Sequence, residues 1–144
     1  MPLSKNGPIV IVEDTEDERV LYEIAFRNLK VPNQLRYFKN GREALDYLVT
    51  TKENPFLIIC DMQMPVMDGL EFRQRVSDNP YLRKKATPFV FRTGKVTAYE
   101  VDRSYELGVQ GFFQKPFEHE KNQLQIKLIV DYWKDCLEPN DDVI

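Results

Sequence analysis

Apolar residues in this chain gather in short runs, separated by longer stretches in which they recur every three or four positions. Ile9 to Val12 is the first run, closed by the acids Glu13 and Asp14. Leu35 to Phe38 is the second, Phe56 to Cys60 the third, Pro88 to Phe91 the fourth and Val109 to Gln114 the fifth. Continuous apolar runs such as the first and third suit strands buried on both faces of a parallel sheet. Between the runs the spacing predicts helices. Thr15 caps the first, Asp17 and Glu18 complement its dipole, and Leu21, Ile24, Ala25 and Leu29 are spaced for burial. Asn40 and Gly41 turn the chain into a second helix with Ala44, Leu45, Leu48 and Val49 as its apolar residues. After Gly69, Leu70 to Val76 reads as a third, with Phe72 and Val76 inward, and the polar segment Ser77 to Pro80 precedes another helical turn. Ala98 to Leu107 is the fourth, closed by Gly108 in a left-handed cap position. The last runs from about Glu118 to Leu137. Its Leu124, Ile126, Leu128, Ile129, Val130, Trp133 and Leu137 make more apolar surface than one side needs.

Strands alternating with helices argue for a doubly wound parallel sheet covered on both faces, because parallel connections need helical crossovers, and those are right-handed. The expected fold is α/β with five strands in the flavodoxin-like, CheY-like order 2-1-3-4-5. Strands one and three are then neighbours. Glu13, Asp14 and Asp61 converge at the carboxyl edge of the sheet, where open α/β sheets bind ligands, with Thr93 and Lys115 at the ends of strands four and five beside them. Residues 1–137 are expected to form this domain and residues 138–144 a disordered tail.

A chain of 144 residues fits one domain and buries a core without staples. Its net charge of -3 gives no electrostatic case for nucleic acid, and Arg83, Lys84 and Lys85 read as a solvated helix end rather than a phosphate-binding face. Cys60 and Cys136 do not resemble a disulfide framework or a zinc site. The N-terminus lacks the apolar core of a signal peptide, and no later run could span a bilayer. A soluble, cytoplasmic protein is expected.

Three carboxylates within about 5 Å of one another repel by roughly 3 kcal/mol per pair at an effective dielectric near 20. Something has to neutralise them. An oxygen-only cluster selects a hard cation, and Mg²⁺ fits because it needs few protein oxygens and keeps its waters for a phosphate. A phosphoryl group arriving at Asp61 would meet the metal, the Lys115 ammonium and the Thr93 hydroxyl, and phosphoryl transfer is mostly positioning and charge neutralisation.

The motifs are an acidic pair after strand one, Asp-x-x-x-Pro-x-x-Asp-Gly from Asp61 to Gly69, Thr93 followed by a small residue, and Lys115-Pro116. In that order they resemble the receiver domain of two-component response regulators, over about Ile9 to Trp133. The resemblance implies a stand-alone receiver, with no output domain following, in which Asp61 accepts a phosphoryl group from a histidine kinase or phosphotransfer protein. It implies that Asp14, Asp61 and the Gln63 backbone carbonyl bind Mg²⁺, with Glu13 acting through water, and that Lys115 and Thr93 hold the phosphoryl oxygens. It also implies a signalling protein rather than an enzyme, and a symmetric homodimer through the helix from Ala98, the strand from Val109 and the last helix. The alternative for that helix is a tail folded back over its surplus apolar face.

The chain departs from the family pattern at three positions. Glu13 stands where the family more often has Asp. Phe112, three before the lysine, replaces a frequent Tyr; it reads either as a ring that turns inward when Thr93 moves or as an ordinary strand residue. Arg92, just before Thr93, is unexpected and is read as facing a partner. Two rivals remain at this point: a Mg²⁺-dependent phosphatase or mutase working through an aspartyl-phosphate, and an unphosphorylated interaction module. The first would resemble Asp-x-Asp after its first strand, whereas Asp61 is followed by Met62 and Gln63. The sole histidine, His119, reads as a solvated residue at the start of the last helix.

Overall fold

The five apolar runs pair as one parallel sheet. The computed structural model describes residues 4–137, so the expected tail at 138–144 lies outside the described residues. After a short 3-10 turn at Ser4–Asn6 come β1 (Ile9–Val12), α1 (Glu16–Asn28), β2 (Leu35–Phe38), α2 (Gly41–Thr50), β3 (Leu57–Cys60) and α3 (Gly69–Asp78). α4 (Pro80–Lys85), β4 (Phe89–Thr93), α5 (Ala98–Glu106), β5 (Gly111–Gln114) and α6 (His119–Asp135) complete it. The strand order is β2-β1-β3-β4-β5, as expected, and each neighbouring pair is parallel. No helix among the described residues is long and apolar enough to cross a membrane.

Alternation along the strands divides the core in two. Val10, Val12, Ile58, Cys60, Phe89 and Phe91 face α2, α3 and α4, where Ala44, Leu48, Phe72, Val76 and Leu82 close over them. Ile9, Ile11, Leu57, Ile59 and Val90 face α1 and α6, meeting Tyr22, Ala25, Phe26, Ile126, Ile129 and Val130. Both faces are dry, which is why the first and third runs carry no polar alternation.

Every α-helix except α6 begins on a side-chain cap. Thr15 accepts from the Glu18 amide, Asn40 from Glu43 and Asp68 from Glu71, each satisfying a first-turn N–H that has no partner within the helix. Thr97 and Glu100 form a reciprocal capping box at α5. The helical turn expected after Ser77 is a separate short helix, α4, with Pro80 at its start and Asn79 as its cap.

One burial expectation is corrected, and the surplus on the last helix is located. In α1 the buried side chains are Tyr22, Ala25 and Phe26, while Leu21 is exposed and Leu29 only half-buried. The helix is turned by one position from the aliphatic stripe, so the larger rings fill the space above β1 and β3. In α6, Ile126, Ile129 and Val130 are buried and Trp133 packs at the edge of that core, whereas Leu124, Leu128 and Leu137 are exposed. Val49 of α2 is also exposed.

Gly69 shows how tightly the loop after β3 is folded. A Cβ there would lie 2.6 Å from the Asp61 carbonyl oxygen, 2.7 Å from the Phe91 ring and 2.9 Å from Met62 Cα. Its amide donates to the Met62 carbonyl at 2.8 Å, so the first turn of α3 rests directly on the backbone of Asp61. Gly69→Ala should therefore lower the free energy of unfolding by about 1–3 kcal/mol, the usual cost of overpacking. Urea unfolding checks this, and an unchanged midpoint would contradict the contact.

Candidate functional site

Backbone hydrogen bonds set the functional side chains at the carboxyl edge of the sheet. The Asp61 amide donates to the Val12 carbonyl at 2.9 Å, which fixes the end of β3 against the end of β1. The Lys115 amide donates to the Thr93 carbonyl at 2.8 Å and does the same for β5 and β4. Glu13 follows β1 directly, and its own amide donates to the Phe38 carbonyl of β2.

These tethers bring Glu13, Asp14 and Asp61 together, with one carboxylate oxygen from each within 4.8 Å of the others. Glu13 is buried, Asp61 half-buried and Asp14 exposed, so the cluster opens to solvent on one side. Asp61 Oδ1 accepts the Met62 amide at 2.8 Å, which orients the carboxylate. Gln63 lies two residues further along the exposed loop. Thr93 is buried, and its hydroxyl makes a long contact of 3.5 Å to the Lys95 carbonyl.

Lys115 supplies the positive charge. Its Nζ donates to Glu13 Oε1 at 2.7 Å and lies 3.4 Å from Glu18 Oε2 on α1. Sequence reasoning gave Glu18 only a role in the helix dipole. The signal that it faces the site is its place one turn before Tyr22, the buried face of α1. Burial of the ammonium works to lower the Lys115 pKa, but Tyr22, Glu13 and Asp61 around it outweigh that and raise it, so Lys115 is a fixed cation. Burial pushes the Glu13 carboxyl up to about 7, with Lys115 opposing the rise and the Asp61 charge adding to it.

The expectation that Arg92 faces a partner is corrected. Its side chain is 1% exposed and points between α1 and α6. There Nε donates to Gln125 Oε1 at 2.7 Å, Nη1 to the Tyr22 hydroxyl at 3.2 Å, and Nη2 to Asn122 Oδ1. Phe112 is half-buried, with its ring 5.7 Å from that of Phe91. His119 opens α6 on the exposed surface, as expected.

The donor set of Glu13, Asp14 and Asp61 is all oxygen, lies at the end of a sheet and is open on one side, and it fits a hard divalent cation. Comparison with known proteins bears on the family. A family model for the response regulator receiver domain matches residues 9–127. A probable chemotaxis protein CheY from Rhizobium etli is 30% identical over 129 residues, spanning 90% of this chain and 96% of the relative. Sporulation initiation phosphotransferase F from Bacillus subtilis is 37% identical over 117 residues, spanning 78% of this chain and 85% of the relative. Among solved structures, the phosphorylated cyanobacterial phytochrome response regulator RcpA matches with a TM-score of 0.84 at 25% identity, over 94% of this chain and 99% of that one.

The raised Glu13 carboxyl gives the cluster a pH dependence with a definite sign. Below about 7 Glu13 holds a proton that an incoming cation has to compete with; above it the carboxylate is free to attract the cation. Divalent-cation affinity should therefore rise with pH by up to about tenfold per unit below that point and level off above it. Titrations between about pH 6 and pH 8 on the wild type and Glu13→Gln check this. An equally steep dependence in the variant would assign the proton to another group.

Proposed function

Because this chain belongs to the response regulator receiver family, a family of phospho-accepting signalling domains, we propose that its phosphoryl acceptor is Asp61. The observation that carries the assignment is the convergence of Asp61 with two further acids and a half-buried lysine at the carboxyl edge of the sheet. One Asp61 carboxylate oxygen attacks the phosphorus of the donor. A P–O bond to Asp61 forms as the bond between phosphorus and the donor's leaving group breaks; an imidazole leaving group takes its proton from water, and an acetate leaving group departs as the anion. The donor is a phosphohistidine on a histidine kinase or phosphotransfer protein, the partners with which receiver domains work.

Glu13, Asp14, Asp61 and the backbone carbonyl of Gln63 would hold Mg²⁺, with Glu13 reaching it through water. When bound, the ion supplies positive charge that offsets the acids and the phosphoryl oxygens. Lys115 and the Thr93 hydroxyl hold the remaining phosphoryl oxygens, Lys115 by turning from Glu13 toward the new charge. Asp61 is followed by Met62 and Gln63, so no second acid stands two residues on to act as the general acid of an aspartyl-phosphate hydrolase.

The output surface is α5, β5 and α6. Leu124, Leu128 and Tyr132 recur every fourth residue on α6 and are 64%, 62% and 60% exposed, which makes one apolar stripe. Tyr99 and Tyr105 of α5 are exposed as well. A symmetric homodimer that covers this stripe, with an affinity that depends on the state of Asp61, accounts for the surplus apolar surface.

Two outcomes test these assignments. Asp61→Asn should take up no acid-labile phosphate from acetyl phosphate, and excess chelator should stop labelling of the wild type, both read by intact mass. Full incorporation in the variant would move the acceptor elsewhere. Leu128→Glu, which alters an exposed side chain and leaves the core intact, should sediment as a monomer under conditions where the wild type with a phosphate mimic dimerises. Wild type that stays monomeric with and without the mimic would remove the dimer.

A further inference from the structure

On β4 the side chains of Val90 and Arg92 share the sheet face that packs on α1 and α6, where the neighbouring strands place Ile9, Ile11, Leu57 and Ile59. A guanidinium therefore occupies a site whose surroundings call for an aliphatic residue. A buried charge is costly unless it is well partnered. Arg92 meets the neutral groups of Gln125, Asn122 and Tyr22, and no carboxylate lies in salt-bridge range of it among the described residues. Stability alone does not explain that choice, because an apolar residue of similar volume is often neutral or better at such a site.

The connections of its partners converge on Lys115. Gln125, which accepts from Arg92 Nε, donates its own amide to the Gln114 carbonyl at 2.9 Å. Gln114 immediately precedes Lys115, whose amide is bonded to the Thr93 carbonyl, and Thr93 immediately follows Arg92. The path closes into a ring of Arg92, Gln125, Gln114, Lys115 and Thr93. From the other side, Tyr22 takes a hydrogen bond from Arg92 Nη1 and lies 5.4 Å, ring centroid to guanidinium carbon, beneath it. Tyr22 stands one turn after Glu18 on α1, and Glu18 is the second carboxylate beside Lys115.

We propose that Arg92 is a positioning residue for Lys115: it ties α6 and α1 to the end of β4, and so fixes both the backbone that carries Lys115 and the helix face that flanks its ammonium. The proposal rests on Lys115 binding the phosphoryl group, but it concerns how this chain holds that lysine. Arg92 itself touches neither the acids nor the phosphoryl position. Its removal should therefore leave cation binding alone and impair the step that needs Lys115.

The test uses the full chain with Arg92→Met, Arg92→Lys and Gln125→Glu. Gln125→Glu keeps an acceptor for Arg92 and makes it an ion pair, while removing the donor to the Gln114 carbonyl, so it separates positioning from the burial of Arg92. Three quantities are read: the side-chain carbon resonance of Lys115 next to its ammonium at fixed pH, Mg²⁺ affinity, and the rate of labelling by acetyl phosphate. In Arg92→Met and Gln125→Glu the Lys115 resonance should shift and labelling should slow by about tenfold or more, since a misplacement of about 1 Å can cost that much. Mg²⁺ affinity should stay within about twofold, and Arg92→Lys, which restores one donor, should recover part of the rate. An unmoved Lys115 resonance in both variants, or parallel losses of Mg²⁺ affinity and labelling, would overturn the positioning role. A wild type that takes up no phosphate, with the Lys115 resonance still moving in the variants, would overturn the acceptor assignment and uphold the positioning.

Discussion

Three carboxylates whose oxygens lie within 4.8 Å of one another can share the end of a dry sheet only while positive charge stands beside them. In this chain that charge is Lys115, paired with Glu13 at 2.7 Å and with Glu18 at 3.4 Å. Much of the architecture serves this balance. The parallel sheet brings the ends of β1, β3, β4 and β5 to one edge, the backbone bonds from Asp61 to Val12 and from Lys115 to Thr93 lock neighbouring ends together, and Gly69 lets α3 close against the loop that carries Asp61.

The balance is poised rather than complete. Burial pushes Glu13 up to about 7 even with an ammonium beside it, so Lys115 does not fully offset the cost of burying that carboxylate. On the proposed reading, a divalent cation held by the acids would supply further positive charge, and Lys115 would then be able to turn toward a phosphoryl group. The same balance of charge would underlie cation affinity, the attraction of phosphate once a cation is bound, and a rearrangement on phosphorylation of Asp61.

The two faces of β4 divide the consequences of that rearrangement. Phe91 and, by alternation, Thr93 look toward the α2, α3 and α4 side, where Phe91 packs on Phe112. Arg92 and Val90 look toward α1 and α6. Because adjacent residues of one strand serve opposite faces, a shift at Thr93 cannot be confined to one of them. α6 is tied to both, since Gln125 bonds Arg92 of β4 and the Gln114 carbonyl of β5, and it also carries the exposed Leu124, Leu128 and Tyr132 stripe.

Strand positions, their order and the gathering of Glu13, Asp14 and Asp61 with Lys115 were legible in the chain itself. Continuous apolar runs ending in charged residues have few alternatives to a buried parallel sheet, and right-handed crossovers leave few orders for it. Helix caps such as Thr15 and Asn40 were equally local, since their chemistry is complete within four residues. What lay beyond the sequence depended on rotation and on distant pairing. Whether Leu21 or Tyr22 faces inward turns on about 100° of helix rotation, and an amphipathic pattern with residues on both sides leaves that angle to packing. The surplus on α6 was visible, but which leucines remained outside was settled by the surface of the sheet. Arg92 is the sharpest case. A charged residue beside a functional threonine reads as exposed, and only the tertiary structure brings Gln125, Asn122 and Tyr22, from 30 to 70 positions away, around its guanidinium. A buried charge is tolerated through partners that the fold assembles, and their identity is not written in its neighbours along the chain.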